Sequence, residues 1–193
     1  ACAPFRRLHV CDKNIQQIKT ENITTHNLLL DVCLAAKFEG QSIRGYHPQY
    51  EVQYPGSGST MCTMLARSFA DIGDIVRGKD LYIGNKGEKK KLEEKLKKYF
   101  KKIHNGLDGK IKSKYNGDTE NYYKLREDWW NANRQEIWKA LTCDAPNGGV
   151  HYFRKTCSKG ETHVKDKCTC INGDPPTYFD YVPQYLRWFE EWA

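Results

Sequence analysis

EDWWNANRQEIWKALTC, residues 127–143, holds three of the chain's five tryptophans. Placed on a helix, Trp130, Ile137, Ala140 and Leu141 share one face, with Trp129 and Trp138 at its flanks. That spacing is the stripe of a helix that buries one side. Each tryptophan can bury roughly 150–250 Å², so this stretch is expected to be the core helix around which the fold is built. Arg126 and Asn133 fall on the same apolar face and need partners, because a buried unpaired charge is costly. Cys143 closes the stretch as a covalent anchor.

Three other stretches have the same period. NLLLDVCLAAKFEG (27–40) places Leu28, Leu29, Val32, Cys33 and Ala36 at helical spacing, and Gly40 is a suitable stop. MCTMLARSFADIGDIVRG (61–78) carries the stripe Met61, Leu65, Phe69, Ile72 and Val76, ended by Gly78. Its Phe69 and Ile72 are expected to meet Trp130, Ile137 or Leu141 in one core. Asp71 and Asp74, one turn apart, have no histidine or metal-ligand set beside them in sequence and are expected at the surface or paired with Arg67 or Arg77. KKKLEEKLKKYFKKIHNG (89–106) buries Leu92, Leu96, Tyr99, Phe100 and Ile103 and turns its lysines outward, with Glu93→Lys97 and Glu94→Lys98 spaced for i,i+4 pairs. The 41–60 stretch, broken by Pro48, Pro55 and three glycines, reads as a loop. After Cys143 the chain has no clear period until Pro183 opens a last helix, with Tyr185, Trp188, Phe189 and Trp192 on one side.

Composition narrows the class. The 193 residues are 39% hydrophobic with a mean hydropathy of −0.79, and no run approaches the ~18–20 apolar residues of a membrane span. Eight cysteines without a repeated CxxC pair favour disulfides and an extracellular setting. The one zinc candidate, Cys157, His163, Cys168 and Cys170, has the spacing of no common finger, so a loop stapled by cystines is expected and no metal or cofactor is assigned. Cys2 and Cys11 are placed to staple a short N-terminal loop. Asn22-Ile23-Thr24 is a formal glycosylation sequon. The chain opens Ala-Cys-Ala-Pro and ends within a helical pattern, as expected of a segment of a longer protein.

The net charge of +7 is concentrated. Between Lys86 and Lys114 twelve lysines face four acids, a local +8, and an anionic partner attracted by charge meets this segment first. Lys90, Lys91, Lys97, Lys98 and Lys101, with Arg6 and Arg7 at the N-terminus, are the candidate binding residues. No nucleophile elbow, HExxH, dinucleotide loop or phosphate loop occurs, so no catalytic residue is assigned and no enzyme is expected.

ARSFADIGDIVRGKDLY (66–82), WWNANRQEIWKALTC (129–143) and PQYLRWFEEWA (183–193) closely resemble the conserved blocks of Duffy-binding-like domains. ACAPFRRLHVCD (1–12), LLLDVCLAAKFEG (28–40) and CDAPNGGVHYFRKTC (143–157) look like the alpha class of that family, found in the malaria parasite's variant erythrocyte membrane protein 1. The resemblance spans the whole chain. It implies an all-α, disulfide-stabilised fold, truncated within its third subdomain. The parts are expected at 1–30 (a stapled N-terminal subdomain), 31–145 (the helical core), 146–182 (a cysteine-rich loop) and 183–193 (the first helix of the third). It also implies a Cys62–Cys143 bond. Cys33 is expected, apart from the resemblance, to join one of Cys157, Cys168 or Cys170. The implied function is host-cell adhesion on the outer face of the infected erythrocyte, as part of a longer membrane-anchored protein. The implied partners are an erythrocyte receptor, a heparan sulfate-type or blood-group glycan in rosetting, and host antibodies. Nucleic acid is not among them. A basic helical polyanion-binding module without a specific adhesion role is the alternative.

Overall fold

A computed structural model describes residues 2–17, 19, 23–82, 86–148 and 150–192, apart from the side chains of Lys86 and Glu88. The sequon's Asn22 lies outside the described residues. Among the described residues the fold is all-α. In order come α1 (Phe5–Leu8), α2 (Lys13–Gln17), α3 (Thr25–Gln53), α4 (Met61–Arg77), α5 (Lys86–Asn105), α6 (Gly109–Lys112), α7 (Tyr123–Leu141) and α8 (Gln184–Trp192).

Helix α4 is the centre. Thr60 caps its N-terminus by accepting from the Thr63 N–H at 3.2 Å, and Gly78 ends it at φ 73° in the left-handed region. Every residue from Cys62 to Arg77 is buried, so the helix is enclosed on its polar side as well as its apolar one. On the apolar side it runs against α7 as expected. Phe69 meets Trp130 at 5.0 Å between ring centroids and Trp138 edge-on at 5.2 Å. Gly73 lets the Trp130 ring lie against the α4 backbone, where a Cβ would come within 2.8 Å of it.

Helix α3 corrects the reading of Gly40 as a helix stop and of 41–60 as a loop. It continues to Gln53 with Pro48 inside it. Gly40 serves close packing instead: a Cβ there would stand 1.9 Å from the Leu141 carbonyl oxygen of α7. A proline inside a helix costs one backbone bond and ~3 kcal/mol, which the packing of Ile43 and His47 on the core side offsets. α3 also runs unbroken through residue 30.

The expected cystine pairs are corrected too. Cys62 is bonded to Cys168 and Cys157 to Cys170, while Cys2, Cys11, Cys33 and Cys143 are free thiols. Cys62–Cys143 fails because the chain leaving α7 turns toward α3, where Gln41 donates to Asp144 at 2.7 Å and Lys37 lies near the Cys143 thiol. Cys2 and Cys11 are drawn to different places. The Cys2 carbonyl accepts from Trp192 Nε1 at 2.9 Å, and the Cys11 N–H donates to Glu39 at 3.2 Å. Cys33 stays half-buried beside Glu136, and burial pushes its thiol up to about 11. The bonded Cys157, Cys168 and Cys170 have no thiolates left for zinc.

Candidate functional site

Helix α5 is built on the stripe anticipated from its sequence. Leu92, Leu96, Tyr99, Phe100 and Ile103 are all buried, and Tyr99 donates to the Ile15 carbonyl at 3.2 Å. Lys90, Lys91, Lys98 and Lys101 are exposed on the other side and Lys97 is half-buried at its edge. The two expected intrahelical pairs do not form among the described residues. Glu93 instead meets Arg126 of α7 with two hydrogen bonds, at 2.7 and 3.0 Å. Arg126 is wholly buried and also donates to the Val76 and Ile75 carbonyls, which supplies the partners its apolar face required. Asn133, the other polar group on that face, donates to the Trp129 carbonyl at 2.7 Å. The consequence for α5 is electrostatic: an acid that could have screened the lysine face is turned inward, so the outer surface keeps its positive field.

Arg6 and Arg7 are not brought to that surface. Arg6 reaches inward to Asp71 at 2.7 Å and Glu191 at 2.8 Å, and donates to Ser68 Oγ at 3.0 Å. Burial works against its charge, but Asp71 and Glu191 more than offset this and raise its pKa. Arg7 forms a two-bond pair with Asp80, at 3.2 and 2.6 Å, and lies over the Tyr82 ring. Both arginines fasten the N-terminal segment to the core.

What sequence reasoning missed is the ionic centre they join. Asp71 and Asp74 are buried rather than at the surface. Asp71 holds Arg6 and Arg187 of α8, while Asp74 holds Arg187 and, as anticipated, Arg77, at 3.1 Å. Gln184 bridges Asp71 and Asp80 at 3.0 and 2.8 Å. Beside them, in a short turn over Phe179–Tyr181, Asp180 accepts from Trp130 Nε1 at 2.9 Å and pairs with Arg134. A signal existed in the sequence: Ser68, Asp71 and Asp74 repeat at i, i+3, i+6 opposite the apolar stripe. Nothing local told that a second layer would cover them.

That layer seats α8 by its polar side. Only Trp188 of its aromatic residues is buried, while Tyr185, Phe189 and Trp192 are 52%, 72% and 60% exposed. The helix docks through Gln184, Arg187 and Glu191 and turns its apolar side outward, because the buried acids of α4 select cations and amides.

A cleft of about 1190 Å³ lies between the segment around residues 7–17 and the 75–82 and α5 regions. Arg7 and Lys97 both line it, with Lys13 and Lys89. It brings an N-terminal candidate, Arg7, and an α5 candidate, Lys97, together. Among the described residues no group of three or more His, Cys, Asp and Glu could hold a metal, and no helix is long and apolar enough to cross a membrane.

Residues 1–187 match the Duffy binding domain family. The chain is 47% identical to the NTS-DBL1(alpha-1) domain of the Plasmodium falciparum membrane protein 1 (PfEMP1) from the varO strain, over 100% of its own length and 43% of that chain, with a TM-score of 0.81. It is 50% identical to the NTS-DBL1-alpha and CIDR-gamma double domain of PfEMP1 from the same strain, over 100% of its length and 27% of that chain, at a TM-score of 0.84. An ICAM-1-binding PfEMP1 DBLbeta domain is 33% identical over 98% of this chain and 42% of its own, at a TM-score of 0.74. The chain thus spans less than half the length of each of these structures.

Proposed function

The chain belongs to the Duffy binding domain family, alongside the alpha-class domains of PfEMP1, and we propose that it is a host-cell adhesion module whose first contact is a sulfated glycan on the erythrocyte surface. A DBLbeta relative is described as ICAM-1-binding, which supports receptor binding as the use of this fold. The observation that carries the glycan reading is the exposed lysine side of α5, where Lys90, Lys91, Lys98 and Lys101 outnumber the exposed Glu94 and Glu93 is taken by Arg126. Lys110 and Lys114, also exposed, extend the field beyond the helix. In this reading the domain works at the outer face of the infected red cell, as part of a longer membrane-anchored protein, where antibodies meet the same surface.

Binding of a linear polyanion by lysines releases counterions, so affinity falls log-linearly with salt. Lys90→Glu, Lys97→Glu and Lys101→Glu together reverse the local field and leave the buried stripe intact. Heparin elution should shift to clearly lower salt and red-cell binding should drop, at equal helicity. Elution at the parent's salt concentration would make this face a solubility surface. Loss of heparin binding with red-cell binding unchanged would place the adhesive contact away from this face, and a parent that binds heparin but not red cells would favour the simpler reading of a polyanion-binding module without an adhesive role.

A further inference from the structure

The cleft beside α5 has a chemistry that a sulfated glycan would leave unused. Its floor is apolar, made by Val10, Ile75, Leu92 and Leu96, and Leu8 and Phe38 stand 44% and 47% exposed at its edge. Of its acids, Asp80 is held by Arg7 and Gln184, Glu93 by Arg126, and Asp12 accepts from Gln16, so Arg7, Lys13, Lys89 and Lys97 outnumber the three carboxylates of the lining. Among the described residues Lys13 and Lys97 have no carboxylate partner, and Lys89 donates only to the Asp80 carbonyl at 2.7 Å. The cleft therefore offers an apolar floor under a rim of net positive charge. Its volume of about 1190 Å³ exceeds the ~300–1,000 Å³ of ordinary small-molecule pockets. A sugar chain has no apolar side groups to fill such a floor. A peptide that alternates carboxylates with aliphatic or aromatic side chains satisfies both layers. We propose that this cleft binds an extended acidic peptide segment of a protein partner, with its apolar side chains against Leu8 and Phe38 and its carboxylates on Lys13 and Lys97.

The proposal goes beyond the glycan reading, with which it shares Lys97, and fails separately from it, since the residues varied in its test, Leu8, Lys13 and Phe38, lie outside the outer face of α5. A fluorescein-labelled nonapeptide of Glu alternating with Leu and Phe would be titrated by anisotropy. Matched peptides carrying Gln for Glu, or Ser for Leu and Phe, serve as comparisons. The first should bind saturably and the other two at least tenfold more weakly. Lys13→Glu, and separately the double variant Leu8→Ser/Phe38→Ser, should each weaken binding at least tenfold, with melting temperature and heparin elution of the double variant unchanged. No saturable binding, or equal binding of the Ser-containing acidic peptide, would overturn the proposal. So would displacement of the peptide by laurate at an equal or lower concentration, which would assign the cleft to a fatty acid.

Discussion

Asp74 shows how one residue's meaning depends on what is placed around it. Burial pushes its carboxyl up to about 6, against the opposing pull of Arg187 and Arg77, with Asp71 adding to the rise. A folded-state pKa above the unfolded one means that the group's contribution to stability is fully present below about pH 4 and lost as pH rises through about 6. From the ordinary carboxyl value of 3.8, the loss is on the order of 3 kcal/mol. Asp71 moves the other way: burial raises its pKa, but Arg6 and Arg187 outweigh that and hold it below the usual carboxylate range. Its contribution is lost only in stronger acid. The melting temperature should therefore rise as pH falls from 7 toward 5, and Asp74→Asn should flatten much of that slope. Glu39, also raised by burial, would keep the remainder. A variant with the parent's slope would show that Asp74 is not the titrating group.

At the scale of elements, the pairing of α4 with α7 joins the parts of the chain. Trp130 is completely buried, packs with its ring tilted against Phe69, fills the notch over Gly73 and donates to Asp180. Trp130→Ala removes both the packing and the hydrogen bond to a buried carboxylate. It should cost roughly 3–5 kcal/mol, read as a lower denaturant midpoint with unchanged m-value. A midpoint close to the parent's would mean that the core collapses around the gap. This pairing was legible in sequence, because the stripes on 61–78 and 127–143 are long and periodic. The seating of α8 was not. The period places its aromatic residues on one side without saying what that side meets, and it is Arg187 and Gln184 that face the core. Buried carboxylates on α4 need charged or amide partners, and aromatic rings, Trp188 Nε1 aside, cannot supply them.

Over the whole molecule, the Cys62–Cys168 bond joins α4 to the 143–176 segment across a separation of 106 residues. In the chain-entropy model such a closure stabilises by about 4.7 kcal/mol, with native bonds usually worth 2–5. Cys168→Ser should lower stability within that range under non-reducing conditions and leave Cys62 reactive only after unfolding. Peptide mapping that found Cys62 joined to Cys143 would overturn the pairing. The sequence by itself determined the helical class, the two central stripes, the basic outer side of α5 and the need of Arg126 for a partner. Each is a matter of period or of charge within one segment. Tertiary structure alone decided which cysteines meet, that α4 is covered on its polar side, and that Arg6 and Arg7 turn inward. It also drew Lys13 and Lys97 to one cleft, because such contacts join residues tens of positions apart and depend on the direction in which each helix leaves the core.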